Sequence, residues 1–106
     1  SKILYLMKDN DYKKIKNPNK KYNSFKIVKT VKPDVYELYL YNEQKTNFQK
    51  HSYASICDLE TSRWLKELTD SKDECFVECK FNPLFQKWSP LINKETNTAD
   101  TIIDVK

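Results

Sequence analysis

Two stretches of the chain alternate apolar with polar positions, and one stretch between them carries the period of a helix. Ser24–Val31 puts Phe25 and Ile27 on one face and Lys26, Val28 and Thr30 on the other. That two-residue repeat is the signature of a half-buried strand. Val35–Tyr41 is dense in β-branched and aromatic residues, and Lys32-Pro33-Asp34 between the two predicts a short hairpin turn. Phe48–Cys57 is a third predicted strand, entered through the polar stretch Asn42–Asn47. Asp58 then reads as a helix N-cap, with Glu60 in the first turn where the helix dipole favours an anion. Trp64, Leu65 and Leu68 share one side of the helix predicted over Leu59–Leu68, with Thr61 between them and solvent. Cys75, Val77, Cys79 and Phe81 alternate with Phe76, Glu78 and Lys80, and Asn82-Pro83 turns the chain into Gln86–Ile92, which carries Trp88. Lys2–Lys8 is a short apolar run of strand character, Asp9–Lys21 a basic loop, and the chain from Asn93 a polar, loosely ordered tail until Ile102-Ile103.

Three strands, a helix and two strands between residues 24 and 92 follow the element order of an OB-fold, a small five-stranded barrel. The expectation is a single mainly β (α+β) domain: an OB-like five- to six-stranded barrel or sheet with one helix near residues 59–69. Residues 1–23 form its basic strand and loop arm, 24–92 its core and 93–106 its polar tail. A generic α+β sandwich satisfies the same order.

Composition narrows the function more than the fold. The chain has no glycine, where about seven are usual at this length. Phosphate-cradling loops, dinucleotide fingerprints and the nucleophile elbow all need glycine, so none is present. Turns fall instead to Asn, Asp and Pro, at Asp9-Asn10-Asp11, Asn17-Pro18-Asn19, Pro33-Asp34, Asn42-Glu43 and Asn82-Pro83. No apolar run reaches the roughly 20 residues of a membrane helix. The basic Lys8–Lys21 stands where a signal peptide would be hydrophobic, and Ser1 in place of Met points to a processed or excised start.

Cys57, Cys75 and Cys79 are odd in number and lack framework spacing. Reduced, buried thiols are expected, hence an intracellular protein of the cytoplasm or nucleus. His51, the single histidine, nominally completes a Cys3His zinc set, but there is no close CxxC pair. A His51–Cys57 nucleophile pair would sit at opposite ends of one strand. No metal, cofactor or catalytic residue is expected, and the chain reads as a domain that is not an enzyme by itself.

Charge is distributed unevenly. Ten lysines and two aspartates give residues 1–32 a charge of +8, whereas residues 33–106 carry −4. An AT-rich coding sequence accounts for 18 Lys against one Arg, but not for the clustering. The run from Tyr12 to Tyr22 interleaves Lys13, Lys14, Lys16, Lys20 and Lys21 with tyrosine and asparagine. Lysines neutralise phosphates and exposed tyrosines stack on unpaired bases. The candidate nucleic-acid contacts are therefore Tyr12, Lys13, Lys14, Lys16, Lys20, Lys21, Tyr22 and Lys26, with Tyr39 and Tyr41. Tyr36, Tyr39 and Tyr41 serve either as a stacking platform or as interior packing.

Three segments together resemble the C-terminal part of mRNA guanylyltransferases (capping enzymes) and their nucleotidyltransferase relatives. Lys14-Ile15-Lys16-Asn17-Pro18 is similar to their Lys-x-Lys-x-Pro motif, whose lysines contact nucleotide phosphates. Tyr22-Asn23-Ser24-Phe25-Lys26-Ile27 resembles the Asn-Ser/Thr-Val-Asp-Phe-Lys stretch that follows, two residues shorter. Phe76-Val77-Glu78-Cys79-Lys80-Phe81, with Trp88 and Pro90, resembles the Glu-Cys strand and Trp hairpin of their OB-fold domain. The resemblance implies an OB-fold lid closing over a nucleotide and an RNA end, with Lys14 and Lys16 as phosphate contacts. The Lys-x-Asp-Gly nucleophile motif and the closing Arg-x-Asp-Lys motif are both absent. The function expected is thus a non-catalytic, nucleic-acid-binding accessory domain, RNA favoured over DNA. The alternative is a protein-interaction module docking a peptide or subunit through an aromatic surface or sheet edge.

Overall fold

The computed structural model describes residues 21–105, so the expected strand at 2–8 and nearly all of the loop at 9–21 lie outside the described residues. Five strands, β1 (Tyr22–Lys29), β2 (Tyr36–Tyr41), β3 (Phe48–Tyr53), β4 (Cys75–Asn82) and β5 (Lys87–Thr96), form one antiparallel sheet of order β3-β2-β1-β4-β5. Helix α1 (Leu59–Ser71) joins β3 to β4, and a short α2 (Ile102–Val105) follows β5. No helix among the described residues is long and apolar enough to cross a membrane.

Side-chain parity builds the core. Phe25 and Ile27 of β1, Tyr36, Leu38 and Leu40 of β2, and Cys75, Val77, Cys79 and Phe81 of β4 point to one side and are buried. Leu65 of α1 and Trp88 of β5 close over them. The Trp88 ring is tilted against Phe25 (5.1 Å between centroids) and Phe81 (5.2 Å), the edge-to-face arrangement aromatic pairs prefer. Asn23 sits among these residues at 2% exposure, with neither amide atom hydrogen-bonded among the described residues.

The two outer strands of the sheet also meet. Ala54 and Trp88 form a parallel bridge, and the Ser55 amide donates to the Trp88 carbonyl at 2.8 Å. This is why the third strand stops at Tyr53 rather than running to Cys57: the chain leaves β2, crosses to β5 and is capped into α1 at Asp58. The Asp58 carboxylate accepts the Thr61 N–H at 2.8 Å, which draws its pKa below the usual carboxylate range. The helix runs to Ser71, past the predicted end, because Thr69 is buried and donates its hydroxyl to the Leu65 carbonyl. Thr61 likewise faces the interior rather than solvent.

The segment read as a polar tail is built into the fold. Strand β5 continues to Thr96, after a register shift opposite Val77–Cys79 that contains Asn93 in the left-handed region (φ 62°). Beyond it, Asp100 wedges between β1 and β2. Its backbone N–H donates to the Ser24 carbonyl (2.8 Å), its side chain accepts the Ser24 N–H (2.9 Å), and its carbonyl accepts the Tyr41 N–H (3.0 Å). Ala99 and Thr101 are buried on either side. Without glycine, left-handed backbone falls to Asp34 (φ 62°), Lys45 (φ 59°) and Gln86 (φ 54°) in the three hairpin turns.

Candidate functional site

Residues that alternate with the core project from the opposite face of the sheet. Register sets Phe76, Lys26, Tyr39 and Lys50 in a row across β4, β1, β2 and β3. Tyr41 stands opposite Phe48, and their rings stack with centroids 4.4 Å apart and an interplanar angle of 24°. Phe76 lies 6.1 Å beyond Phe48, and the Lys26 ammonium sits 4.5 Å above the Phe48 ring, a cation–π contact. Four strands thus present a continuous aromatic strip with a cation upon it, and Tyr39, Tyr41, Phe48 and Phe76 each keep part of their surface exposed.

Beside the strip lies a polar cluster. Tyr39 donates its hydroxyl to Glu37 (2.9 Å), Lys50 lies 3.3 Å from the same carboxylate, and Lys50 donates to the Tyr53 hydroxyl (2.9 Å) from above that ring. The Tyr39 hydroxyl holds the Glu37 carboxyl below its ordinary pKa and is itself raised by that carboxylate. The bond to Tyr53 raises the Lys50 ammonium. Lys26 is 3.5 Å from Glu74. Lys26 and Lys50, the two lysines beside the strip, are therefore each matched by a carboxylate, and the strip is aromatic rather than basic. Thirteen basic and thirteen acidic residues fall in 21–106, so the whole net charge of +4 belongs to residues 1–20.

Of the candidate contacts, Tyr12, Lys13, Lys14, Lys16 and Lys20 lie outside the described residues. Lys21 is exposed and its carbonyl accepts the Phe81 N–H. Tyr22 opens β1 opposite Lys80. It is four residues, about 13 Å, from Lys26 along the strand. Lys26, Tyr39 and Tyr41 are brought together on the sheet face, whereas Tyr36 has the opposite parity and is buried in the core. Phe48, Lys50 and Phe76 complete the face. The alternation that carries Phe76 is visible in the sequence, but only the β1–β4 and β2–β3 registers set these three residues beside Tyr41 and Lys26.

Other chemistry is dispersed. Cys75 and Cys79 are buried, which pushes both thiols up in pKa, and Cys57 is exposed. His51 lies against Phe25, and desolvation lowers its pKa. Among the described residues no group of three His, Cys, Asp or Glu is placed to hold a metal ion. A cleft of about 400 Å³ between the β1–β2 turn and α1 includes Lys29, Lys66 and Asp70. Within it Asp70 lies 2.8 Å from Lys29 and 3.5 Å from Lys66.

No protein-family model and no solved structure matches the chain. It is similar to an uncharacterized protein of Acanthamoeba polyphaga mimivirus, 44% identical over 66 residues, which make up 60% of this chain and 19% of that protein. The chain therefore spans only a small part of that relative. Of the three segments that resemble capping enzymes, Lys14–Pro18 is outside the described residues. The other two are adjacent antiparallel strands, Tyr22 facing Lys80 and Lys26 facing Phe76.

Proposed function

We propose that the chain is an OB-like accessory domain that binds single-stranded nucleic acid, RNA in preference to DNA, and is not catalytic by itself. The β3-β2-β1-β4-β5 order, with β3 and β5 meeting at the Ala54–Trp88 bridge, supports the OB-like reading. In that fold the face of the second and third strands takes oligonucleotides. The observation that carries the reading is the Tyr41–Phe48 stack on that face, with Lys26 above it. Bases stack on the exposed aromatic surface without regard to sequence. Because Lys26 and Lys50 beside the strip are already matched by carboxylates, phosphate neutralisation falls to Lys13, Lys14, Lys16, Lys20 and Lys21. An RNA-binding role accords with an intracellular location.

The test is a salt titration of binding to a fluorescent single-stranded oligouridylate. Five lysines on a single strand give a log–log slope near −3.5, roughly a hundredfold loss of affinity between 50 and 200 mM salt. Reversing those five lysines to Glu abolishes binding, and Phe48→Ala costs about 1–3 kcal/mol if one base stacks there. Binding that survives the charge reversal undiminished refutes the proposal. A partner docked through hydrophobic contact would leave the salt titration flat.

A further inference from the structure

Two exposed surfaces of this chain have complementary chemistry. The first is the apex of the β4–β5 turn. Asn82 Oδ1 accepts the backbone N–H groups of Leu84 (3.0 Å) and Phe85 (3.4 Å), and Gln86 closes the turn in the left-handed region, so the apex is held in one shape. It presents Leu84 at 81% and Phe85 at 63% exposure. Turn apices are ordinarily polar, and adjacent large apolar side chains there mark a contact surface. Its flanks are basic: residues 79–94 contain Lys80, Lys87 and Lys94 and no carboxylate.

The second surface is a cleft of about 360 Å³ at the start of α1, lined by Ile56, Cys57, Leu59 and Ser62 between Asp34 and Asp58. Leu59 is 63% exposed there, although it opens the helix. Asp34 accepts the Ser62 hydroxyl, and Glu60 adds a further carboxylate in the same helical turn. The cleft borders the base of the hairpin, since Cys57 Sγ lies 3.8 Å from Ser89 Oγ. Leu84, Phe85 and Leu59 are all exposed in the single chain, so neither surface satisfies the other within it.

We propose that the apex of one copy docks into the cleft of a second copy. Leu84 and Phe85 pack on Ile56 and Leu59, while Lys80 and Lys87 face Asp34 and Asp58. Because the hairpin that carries the apex borders the cleft at its base, a two-fold axis would let each copy give and receive at once, closing a dimer. Small apolar contacts with charged rims make weak, transient pairs. The proposal goes beyond nucleic-acid binding and does not depend on it.

Sedimentation equilibrium of the full chain from micromolar to millimolar concentration is the first measurement. The expected result is a mass that rises toward twice that of the monomer, and Phe85→Asp and Leu59→Asp each holding the chain monomeric with an unchanged unfolding midpoint. The second measurement uses the exposed Cys57 as a reporter. Leu84→Cys under mild oxidation yields a covalent dimer, which disappears when Cys57→Ser is added. A wild-type chain that stays monomeric throughout overturns the proposal, as does a dimer indifferent to both aspartate substitutions. A crosslink that survives Cys57→Ser or forms only within one chain also overturns it. So does a monomer that binds phosphatidylserine–phosphatidylcholine vesicles through Phe85, which assigns the apex to a lipid surface.

Discussion

Turning without glycine has a measurable consequence. Lys45 in the β2–β3 turn and Gln86 in the β4–β5 turn both occupy the left-handed region, at φ 59° and 54°. There the Cβ of an ordinary residue crowds the following carbonyl oxygen, at a cost of roughly 1–2 kcal/mol. Glycine removes that crowding but has more conformational freedom to lose on folding, about 0.5–1 kcal/mol. Gln86→Gly and Lys45→Gly should therefore each stabilise the domain by about 0.5–1 kcal/mol. For a chain near 100 residues that raises the unfolding midpoint by roughly 2–8 °C. The two turns lie at different hairpins, so the gains should add. Asp34→Gly and Asn93→Gly should gain less, because Asp and Asn tolerate this region. Gln86→Ala separates the causes: it removes the side chain, keeps the Cβ, and should leave the midpoint almost unmoved. The assay is thermal and urea unfolding followed by circular dichroism, with the urea slope checked for constancy. If both glycine variants lower the midpoint at an unchanged slope, the steric reasoning fails.

Further outcomes follow from the core and its charges. Asn23→Leu exchanges a buried amide with no hydrogen-bond partner among the described residues for an apolar group of similar shape, and should stabilise by about 1–3 kcal/mol; a loss of stability in urea unfolding would show that the amide is satisfied. Trp88→Ala removes the ring packed on Phe25 and Phe81, and should cost about 3–5 kcal/mol by the same measurement. Asp58, Asp70 and Glu37 are held below their ordinary pKa by the Thr61 N–H, the Lys29 ammonium and the Tyr39 hydroxyl. Their folded values lie below the unfolded ones, so their stabilisation is full above about pH 5 and is lost as pH falls through the folded values. The unfolding midpoint should drop most steeply below about pH 4, and Asp70→Asn should make that drop shallower. His51 acts in the same direction at higher pH: its folded pKa is depressed, so stability declines as pH falls through about 6.5 and below, a slope that His51→Gln should flatten.

Local physical chemistry explains what could be read from the chain alone. Alternation in Ser24–Val31 and Cys75–Phe81 marks strands because side chains on extended backbone must point to opposite faces, and the β-branched and aromatic residues of Val35–Tyr41 mark a third. Asp58 marks a helix start because its carboxylate satisfies an amide that the helix leaves unpaired. The Pro33-Asp34 and Asn82-Pro83 turns were legible for the same kind of reason, as was the buried face led by Phe25, Val77 and Cys79. All of these depend on neighbours a few residues away.

Tertiary structure alone decided the rest. Pairing of β1 with β4 joins strands that are distant in sequence, and it sets Phe76 beside Lys26. The register shift between Leu38 and Tyr39 aligns Tyr41 with Phe48, so the aromatic strip exists only in the folded sheet. Tyr36 went to the core and Tyr39 to the surface by parity, which residue type does not reveal. The segment around Asp100 reads as a loose polar tail because its local pattern is polar. Its order comes from backbone groups of Ser24 and Tyr41 that need partners where β1 and β2 part. The absence of glycine was plain from the sequence, but which residues would take on its left-handed turns depended on where each hairpin closed.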